Sequence, residues 1–182
     1  MGVADGFAMD RMAAPARLKR APKVAMREIG WAAFGEVIRA LAARIALRFR
    51  PDVVLGIAKG GVFVGGALAA VLGADFHPIR FAKRHRDPPP LPAPPPELPD
   101  LARRKVLVVD DVASSGATLA RGRALARKAG ARDIRTAVLV VRPGGARPDW
   151  AAIETDELVL FGWDYQLEET ESGPDDPGEA GV

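Results

Sequence analysis

Two short stretches carry the residue types from which a binding site could be built. The first is Val106-Leu-Val-Val-Asp-Asp-Val-Ala-Ser-Ser-Gly-Ala-Thr-Leu119. An apolar run ends in the acid pair Asp110-Asp111, and a Ser/Gly/Thr turn then opens a segment of helical composition. Carboxylates at the end of a buried parallel strand sit where open α/β sheets bind ligands. The turn presents free backbone N–H groups and the positive end of a helix dipole to an anion. Ser114, Ser115 and Thr118 add hydroxyl donors, and Gly116 permits close backbone approach. An acid pair beside an anion cradle suits a ligand with both hydroxyls and a phosphate. The blander alternative is an ordinary strand–cap–helix turn in which Asp and Ser only cap. Against it, two consecutive acids after a buried strand are costly without a task.

The second stretch is Asp52-Val-Val-Leu-Gly-Ile-Ala-Lys-Gly-Gly61. Again a strand runs into a tight turn before a helix. Its glycines match neither the dinucleotide spacing G-x-G-x-x-G nor the P-loop G-x-x-x-x-G-K-[ST], which argues against a dinucleotide-dependent oxidoreductase. Lys59 beside Gly60-Gly61 places a cation next to exposed amides. Alone this could be a structural Gly-Gly turn. Together with the first stretch it suits a ribose carrying phosphates at both ends.

The elements that must hold these stretches follow from periodicity. Apolar residues at Ile29, Ala33, Val37, Leu41 and Ile45 predict a helix over Glu28–Phe49, stopped by Pro51. Five apolar runs predict buried strands: Val53–Ile57, Phe76–Phe81, Val106–Val109, Ile134–Val141 and Leu158–Phe161. Between them, Val62–Leu72 and Ala117–Ala129 read as helices, the latter closed by Gly130. This alternation implies an α/β fold with a parallel sheet covered on both faces.

Segments outside that pattern have their own character. Eight of the 16 prolines fall between Pro88 and Pro99, a run that favours extended polyproline geometry. It is a recognition motif, a linker between domains, or an active-site loop; the flanking strands belong to one alternating pattern, which favours the loop. Residues 1–25 read as a loose arm. Arg11 to Arg27 holds six basic residues and no acid, while Glu168 to Val182 holds six acids and no base. Charge runs of this kind read as solvated tails.

With 182 residues the chain suffices for one domain with a substantial core, and its net charge is only +3. It has no Cys and two His, which excludes disulfides and argues against a zinc site. No apolar run is long enough to span a membrane and no signal peptide is evident, so the expected location is the cytoplasm. No nucleic-acid reader element accompanies the basic arm, so a nucleic-acid partner is not expected.

In order, spacing and context, residues 28 to 165 resemble the type I phosphoribosyltransferases. Val106 to Leu119 resembles their motif for 5-phosphoribosyl-1-diphosphate (PRPP), and Ala58-Lys59-Gly60-Gly61 resembles their diphosphate loop. The resemblance implies a mostly parallel sheet of about five strands, helices on both faces and a small hood, in a domain over residues 26–167. It implies Mg²⁺-dependent transfer of ribosyl-5-phosphate to a base, with Lys59, Asp110, Asp111 and Ser114 as catalytic positions. Asp110 and Asp111 would hold the ribose hydroxyls, partly through Mg²⁺. Ser114, Ser115, Gly116, Ala117 and Thr118 would wrap the 5-phosphate. Ala58, Lys59 and Gly60 would meet the diphosphate, with a cis Lys59–Gly60 peptide. Residues 83–100 fall where the family has its mobile catalytic loop, with Lys83, Arg84 and Arg86 at its root, and a homodimer is the usual form.

The C-terminal portion resembles the xanthine–guanine branch. Val141-Arg142-Pro143-Gly144 resembles its Lys-Pro turn, and Leu158-Val-Leu-Phe-Gly-Trp163-Asp164 resembles its hydrophobic strand and Pro-Trp-Asp segment. This implies that Arg142 meets a purine 6-oxo group, Val159 lines the pocket and Asp164 reads the exocyclic edge, so that the base is a 6-oxopurine. A surface cation at Arg142 and a core or interface aromatic at Trp163 are the plainer alternatives. The chain departs from that branch at Ser114, where an Asp acts near purine N7, and at Leu158, where an aromatic stacks on the base. A non-catalytic PRPP-binding regulator or accessory protein with the same fold is the rival expectation.

Overall fold

The computed structural model describes residues 25–81 and 98–164. The basic arm, the acidic tail, the root residues Lys83, Arg84 and Arg86, and most of the proline-rich segment lie outside the described residues. In chain order the elements are β1 (Met26–Ile29), α1 (Trp31–Ala46), β2 (Val53–Ile57), α2 (Gly61–Leu72), β3 (Asp75–Ile79), β4 (Lys105–Ala113), α3 (Ala117–Lys128), β5 (Asp133–Val141), β6 (Trp150–Glu154) and β7 (Leu158–Phe161).

Five strands form one parallel sheet in the order β3-β2-β4-β5-β6. After β2 the chain passes through α2 to β3 on one side; after β4 it passes through α3 to β5 on the other. Strand order therefore reverses between β2 and β4, and the crevice at their C-terminal ends is where such sheets receive ligands. Opposite directions of travel put the crossover helices on opposite faces. Alternation along the strands supplies both cores. Val54, Leu107 and Val109 pack under α1 and α2. Val53, Leu55, Ile57, Val106 and Val108 pack under α3.

The strand and helix expectations mostly hold, though the strand expected at Phe76–Phe81 spans Asp75–Ile79 and that at Val106–Val109 runs on to Ala113. Glu28 and Ile29 belong to β1, not to the first helix. Ile29 fits the helical spacing, but it pairs with Phe161 of β7, a partner far along the chain that no local pattern reveals. That helix begins after Gly30 and buries Phe34, Ile38, Leu41, Ala42 and Ile45. β7 has the expected bounds but leaves the main sheet and pairs with β1 as a separate two-stranded parallel hood. β6 has no counterpart among the expected strands: it is a short half-buried edge, Trp-Ala-Ala-Ile-Glu, whose alanines are poor strand formers, and it follows a run containing Pro143, Gly144, Gly145 and Pro148 that reads as loop.

Helix α3 lies unusually close to the sheet. A Cβ built on Gly122 would stand 2.6 Å from Val108 Cγ1 and 3.5 Å from Ile57 Cδ1. Val108 is fully buried and β-branched, so its methyl cannot swing aside. Gly122→Ala gains up to about 1 kcal/mol of helix propensity but overpacks this contact at a cost of about 1–3 kcal/mol. Urea unfolding should show a net loss of stability with an unchanged m-value. A variant as stable as the parent would mean that α3 is not held at this distance by packing.

Candidate active site at the β2–β4 crevice

The β2–β4 pairing ends at Gly56↔Val109. Asp110 is thus the first residue of β4 beyond its last β2 partner, where the two strands part. The acid pair lies inside β4 and not after it, because Val112 and Ala113 continue to pair with β5 (Val112↔Val140, Ala113↔Val141). As neighbours on a strand the two residues direct their Cβ atoms to opposite faces, yet their carboxyl groups remain close enough to interact. Asp110, 8% exposed, lines a hollow of ≈ 180 Å³ with Val112, Ala113, Ser114, Ser115, Gly116, Thr118 and Leu119. Asp111 faces the turn after β2.

That turn is seated directly on the acid pair. A Cβ on Gly60 would fall 1.7 Å from Asp111 Oδ2, and one on Gly61 would fall 2.8 Å from the Val109 carbonyl and 2.9 Å from Asp110 Cα. Only glycine permits this approach, so the Gly-Gly pair read in the sequence is a steric requirement at both positions. The Ala58–Lys59 peptide is cis, one residue earlier than expected. Gly60 already has helical dihedrals (φ −63, ψ −35) as the cap of α2, so the chain reverses before it. Lys59 is exposed at the lip of the crevice.

The second cradle is equally specific. Gly116 adopts φ +77 as the N-cap of α3, and no side chain caps that helix. Ser114, Ser115, Ala117 and Thr118 are exposed around its open N-terminus. The Ser115 hydroxyl accepts a long bond from Ala117 N–H at 3.4 Å. The turn after β5 braces this cradle from behind. Arg142 N–H donates to the Ala113 carbonyl at 2.9 Å and Ala146 N–H to the Ser114 carbonyl at 2.7 Å. A Cβ on Gly145 would lie 2.1 Å from the Ser114 carbonyl oxygen. Sequence reasoning missed the contacts of Gly145 and Ala146 with Ser114; the Gly144-Gly145 doublet is their only trace.

The expected base-binding residues are placed differently from one another. Val159 is buried in the hood, in register with Arg27. Asp164 is exposed, and its Oδ2 accepts from Phe161 N–H at 2.9 Å. Arg142 Nη1 donates to the carbonyls of Thr155 and Glu157. Trp163 stacks on Phe161 (centroids 4.6 Å apart, 7°) and on Phe63 of α2 (5.0 Å, 13°). Its Nε1 is buried without a hydrogen-bond partner among the described residues. Trp163 is therefore taken up in an aromatic cluster that joins the hood to the start of α2. The structure brings Ala58–Gly61 together with Asp110–Thr118, while the side-chain groups of Arg142 and Asp164 are already bound to backbone.

The electrostatics of the acid pair are unusual. Burial first, then the charge and hydrogen bonding of Asp111, push the Asp110 carboxyl up from 3.8 to about 8. Partial compensation comes from Asp111 N–H, which donates to Asp110 Oδ1 at 3.1 Å. Such a pair is relieved by hydroxyl donors or by a cation. Among the described residues no cluster of three or more His, Cys, Asp or Glu exists. Two adjacent carboxylates with open space beside them do fit Mg²⁺, which commonly takes one or two protein carboxylates and completes its shell with water and phosphate oxygens.

The raised value fixes a pH dependence. Between pH 3.8 and about 8 the folded, ligand-free chain holds a proton on Asp110 that the unfolded chain has released. Stability therefore falls as pH rises through that window and is level above it. Asp110→Asn removes this penalty. Its melting temperature relative to the parent should climb progressively between about pH 5 and pH 8 in ligand-free protein, by an amount worth on the order of a few kcal/mol. Thermal unfolding at several pH values measures it, and a pH-independent difference would contradict the assignment.

Comparison with known proteins agrees with this geometry. Three curated relatives are similar to the chain. An orotate phosphoribosyltransferase of Sulfurisphaera tokodaii is 31% identical over 52% of this chain and 46% of its own. A transcriptional regulator, GfcR, of Methanosphaera stadtmanae is 32% identical over 51% and 47%. An adenine phosphoribosyltransferase of Mycolicibacterium gilvum is 36% identical over 44% and 51%. The chain thus spans about half the length of these relatives. The crystal structure of a purine phosphoribosyltransferase from Pyrococcus horikoshii superposes with a TM-score of 0.67 at 28% identity, covering 78% of this chain and 96% of that one. The family model for the phosphoribosyl transferase domain matches residues 30–170, and the chain belongs to that family.

Proposed function

We propose that the protein transfers the ribosyl-5-phosphate group of PRPP to a ring nitrogen of a purine, with Mg²⁺, releasing diphosphate. The observation that carries this reading is the pair of backbone cradles at the ends of β2 and β4, with Asp110 and Asp111 between them. This arrangement suits one ribose with a phosphate at each end. In this reading the amides of Ser115–Thr118 and their hydroxyls hold the 5-phosphate at the N-terminus of α3. Asp110 accepts from a ribose hydroxyl, and the two carboxylates would hold Mg²⁺, which would supply positive charge toward the diphosphate. Lys59 and the amides of 58–60 face the same group.

As diphosphate departs, positive charge develops at ribose C1, so the carboxylates stabilise both the bound substrate and the cationic centre. The Ser114 hydroxyl cannot serve as a general base unaided at neutral pH. The chain's contribution is then positioning and charge. A 6-oxopurine preference would rest on Arg142 and Asp164, whose groups are engaged with backbone; purine is the class we assign, supported by the name of the Pyrococcus structure. A second reading, a PRPP-binding regulator without turnover, is favoured by the similarity to GfcR. Location in the cytoplasm and a homodimer remain part of the proposal; among the described residues no helix is long and apolar enough to cross a membrane.

Two experiments test it. Diphosphate release with PRPP and Mg²⁺ should occur with at least one of hypoxanthine, guanine, xanthine or adenine, and faster than with orotate. Preference for orotate would refute the base class, and tight PRPP binding with no turnover on any base would favour the regulator. Separately, Asp110→Asn with Asp111→Asn should abolish PRPP–Mg²⁺ binding in calorimetry while leaving the fold intact by circular dichroism. Undiminished affinity would remove the basis of the site.

A further inference from the structure

Arg142 stands where two parts of the molecule meet. Its backbone belongs to the phosphate cradle: its N–H is bound to Ala113, and its carbonyl accepts from Gly145 N–H at 3.2 Å within the turn that lies on Ser114. Its side chain belongs to the hood. Nη1 donates to the Thr155 carbonyl at 3.1 Å and also to the Glu157 carbonyl. These two residues form the turn that delivers the chain into β7. The Glu157 carboxylate in turn accepts from Arg27 Nε of β1 at 2.7 Å and from the Thr155 hydroxyl at 3.3 Å. One continuous line of polar contacts thus runs from the cradle, through Arg142, to both strands of the hood.

The hood needs such a tie. β1 and β7 are paired only with each other and share no ladder with the five-stranded sheet. Trp163, stacked on Phe161 of β7, packs on Phe34 and Phe63 and fixes the side toward α1 and α2. Toward the cradle, the polar ties are Thr155 N–H to the Val141 carbonyl, at 3.2 Å, and the Arg142 guanidinium. A charged donor on two carbonyls is stronger than a neutral bond. Both bonds come from one nitrogen, Nη1, whose N–H groups are held in the plane of the guanidinium, whereas the donors of an ammonium on a flexible stem have no such fixed plane.

We infer that Arg142 is a positioning residue that sets the gap between hood and phosphate cradle, with Thr155, Glu157 and Arg27 completing the strut. The inference rests on the proposed function and adds to it that the base enters that gap beside ribose C1. Arg142 then governs how well any base is aligned, and does not select among bases by their exocyclic groups. A misplacement of the order of 1 Å is enough to cost a large factor in rate.

The test compares Arg142→Ala, Arg142→Lys and Arg27→Ala by kcat/KM on a panel of bases, and by amide hydrogen exchange without substrate. Arg142→Ala should lower kcat/KM for every accepted base by a common factor of about tenfold or more, with PRPP affinity unchanged. Arg142→Lys should recover part of that loss, equally for all bases. Arg27→Ala, altering the far end of the strut, should give a smaller loss of the same uniform kind. Amides of 158–161 should exchange faster in Arg142→Ala while those of 105–109 do not. A loss confined to 6-oxopurines, with exchange unaltered, would overturn the strut and make Arg142 a direct reader of the base. Retention of full activity in Arg142→Ala would overturn it as well. If the parent protein turns over no base, the catalytic reading fails by itself, and the exchange data alone decide the strut: unaltered protection of 158–161 refutes it.

Discussion

The site depends on the contact between the Asp111 carboxylate and the backbone at Gly60. It brings the turn after β2 against the acid pair inside β4, in a space too small for a single methyl group. Once that approach is made, the remaining geometry follows. The amides around Lys59 and the open N-terminus of α3 face a common crevice from its two sides. The carboxylates lie between them, where the parting of β2 and β4 removes the strand that would otherwise cover them. A ligand with anionic ends and a hydroxylated middle is the complement of this arrangement.

The energetic character of the crevice follows from the same contact. Burying Asp110 against Asp111 is unfavourable for the empty protein, since desolvation and like charge act together. The cost is borne by a well-packed sheet whose central strands are almost wholly covered. Stability is thus concentrated below the crevice, and electrostatic tension at its rim. Binding a cation and hydroxyl groups would relieve that tension, so the empty site is prepared for a ligand in charge as well as in shape. The hood is held by different means, aromatic packing on one side and polar ties on the other.

Much of this was legible in the sequence because the carrying features are local. The runs Val53–Ile57 and Val106–Val109 declare buried strands, and each is followed at once by the residues that make its cradle. Gly60 and Gly116 could be read as places of close approach from residue type alone. What escaped is non-local. β1 exists only because β7 lies beside it, and its Ile29 is equally at home in a helical pattern. β6 is a five-residue edge in which two of the four apolar residues are alanine, a poor strand former. The role of Gly145 depends on a carbonyl some thirty residues earlier in the chain. The guanidinium of Arg142 was expected to point at a ligand, but carbonyls of the following turn lie within its reach, and no spacing rule would predict that.

The edge strand β3 carries a consequence for how the molecule behaves in company. Its pairing with β2 is made by alternate residues: Asp75 N–H donates to the Asp52 carbonyl, and the Ile79 carbonyl accepts from Ala58 N–H. The intervening residues, Phe76 and Pro78, turn their backbone groups away from β2 toward the open margin of the sheet. Proline has no N–H, so an incoming strand meets a missing donor in the middle of a five-residue edge. With so short a template interrupted at Pro78, strand-to-strand addition between copies of the chain is discouraged at this margin. Among the described residues, this border of the sheet is thus guarded against strand addition by its own sequence.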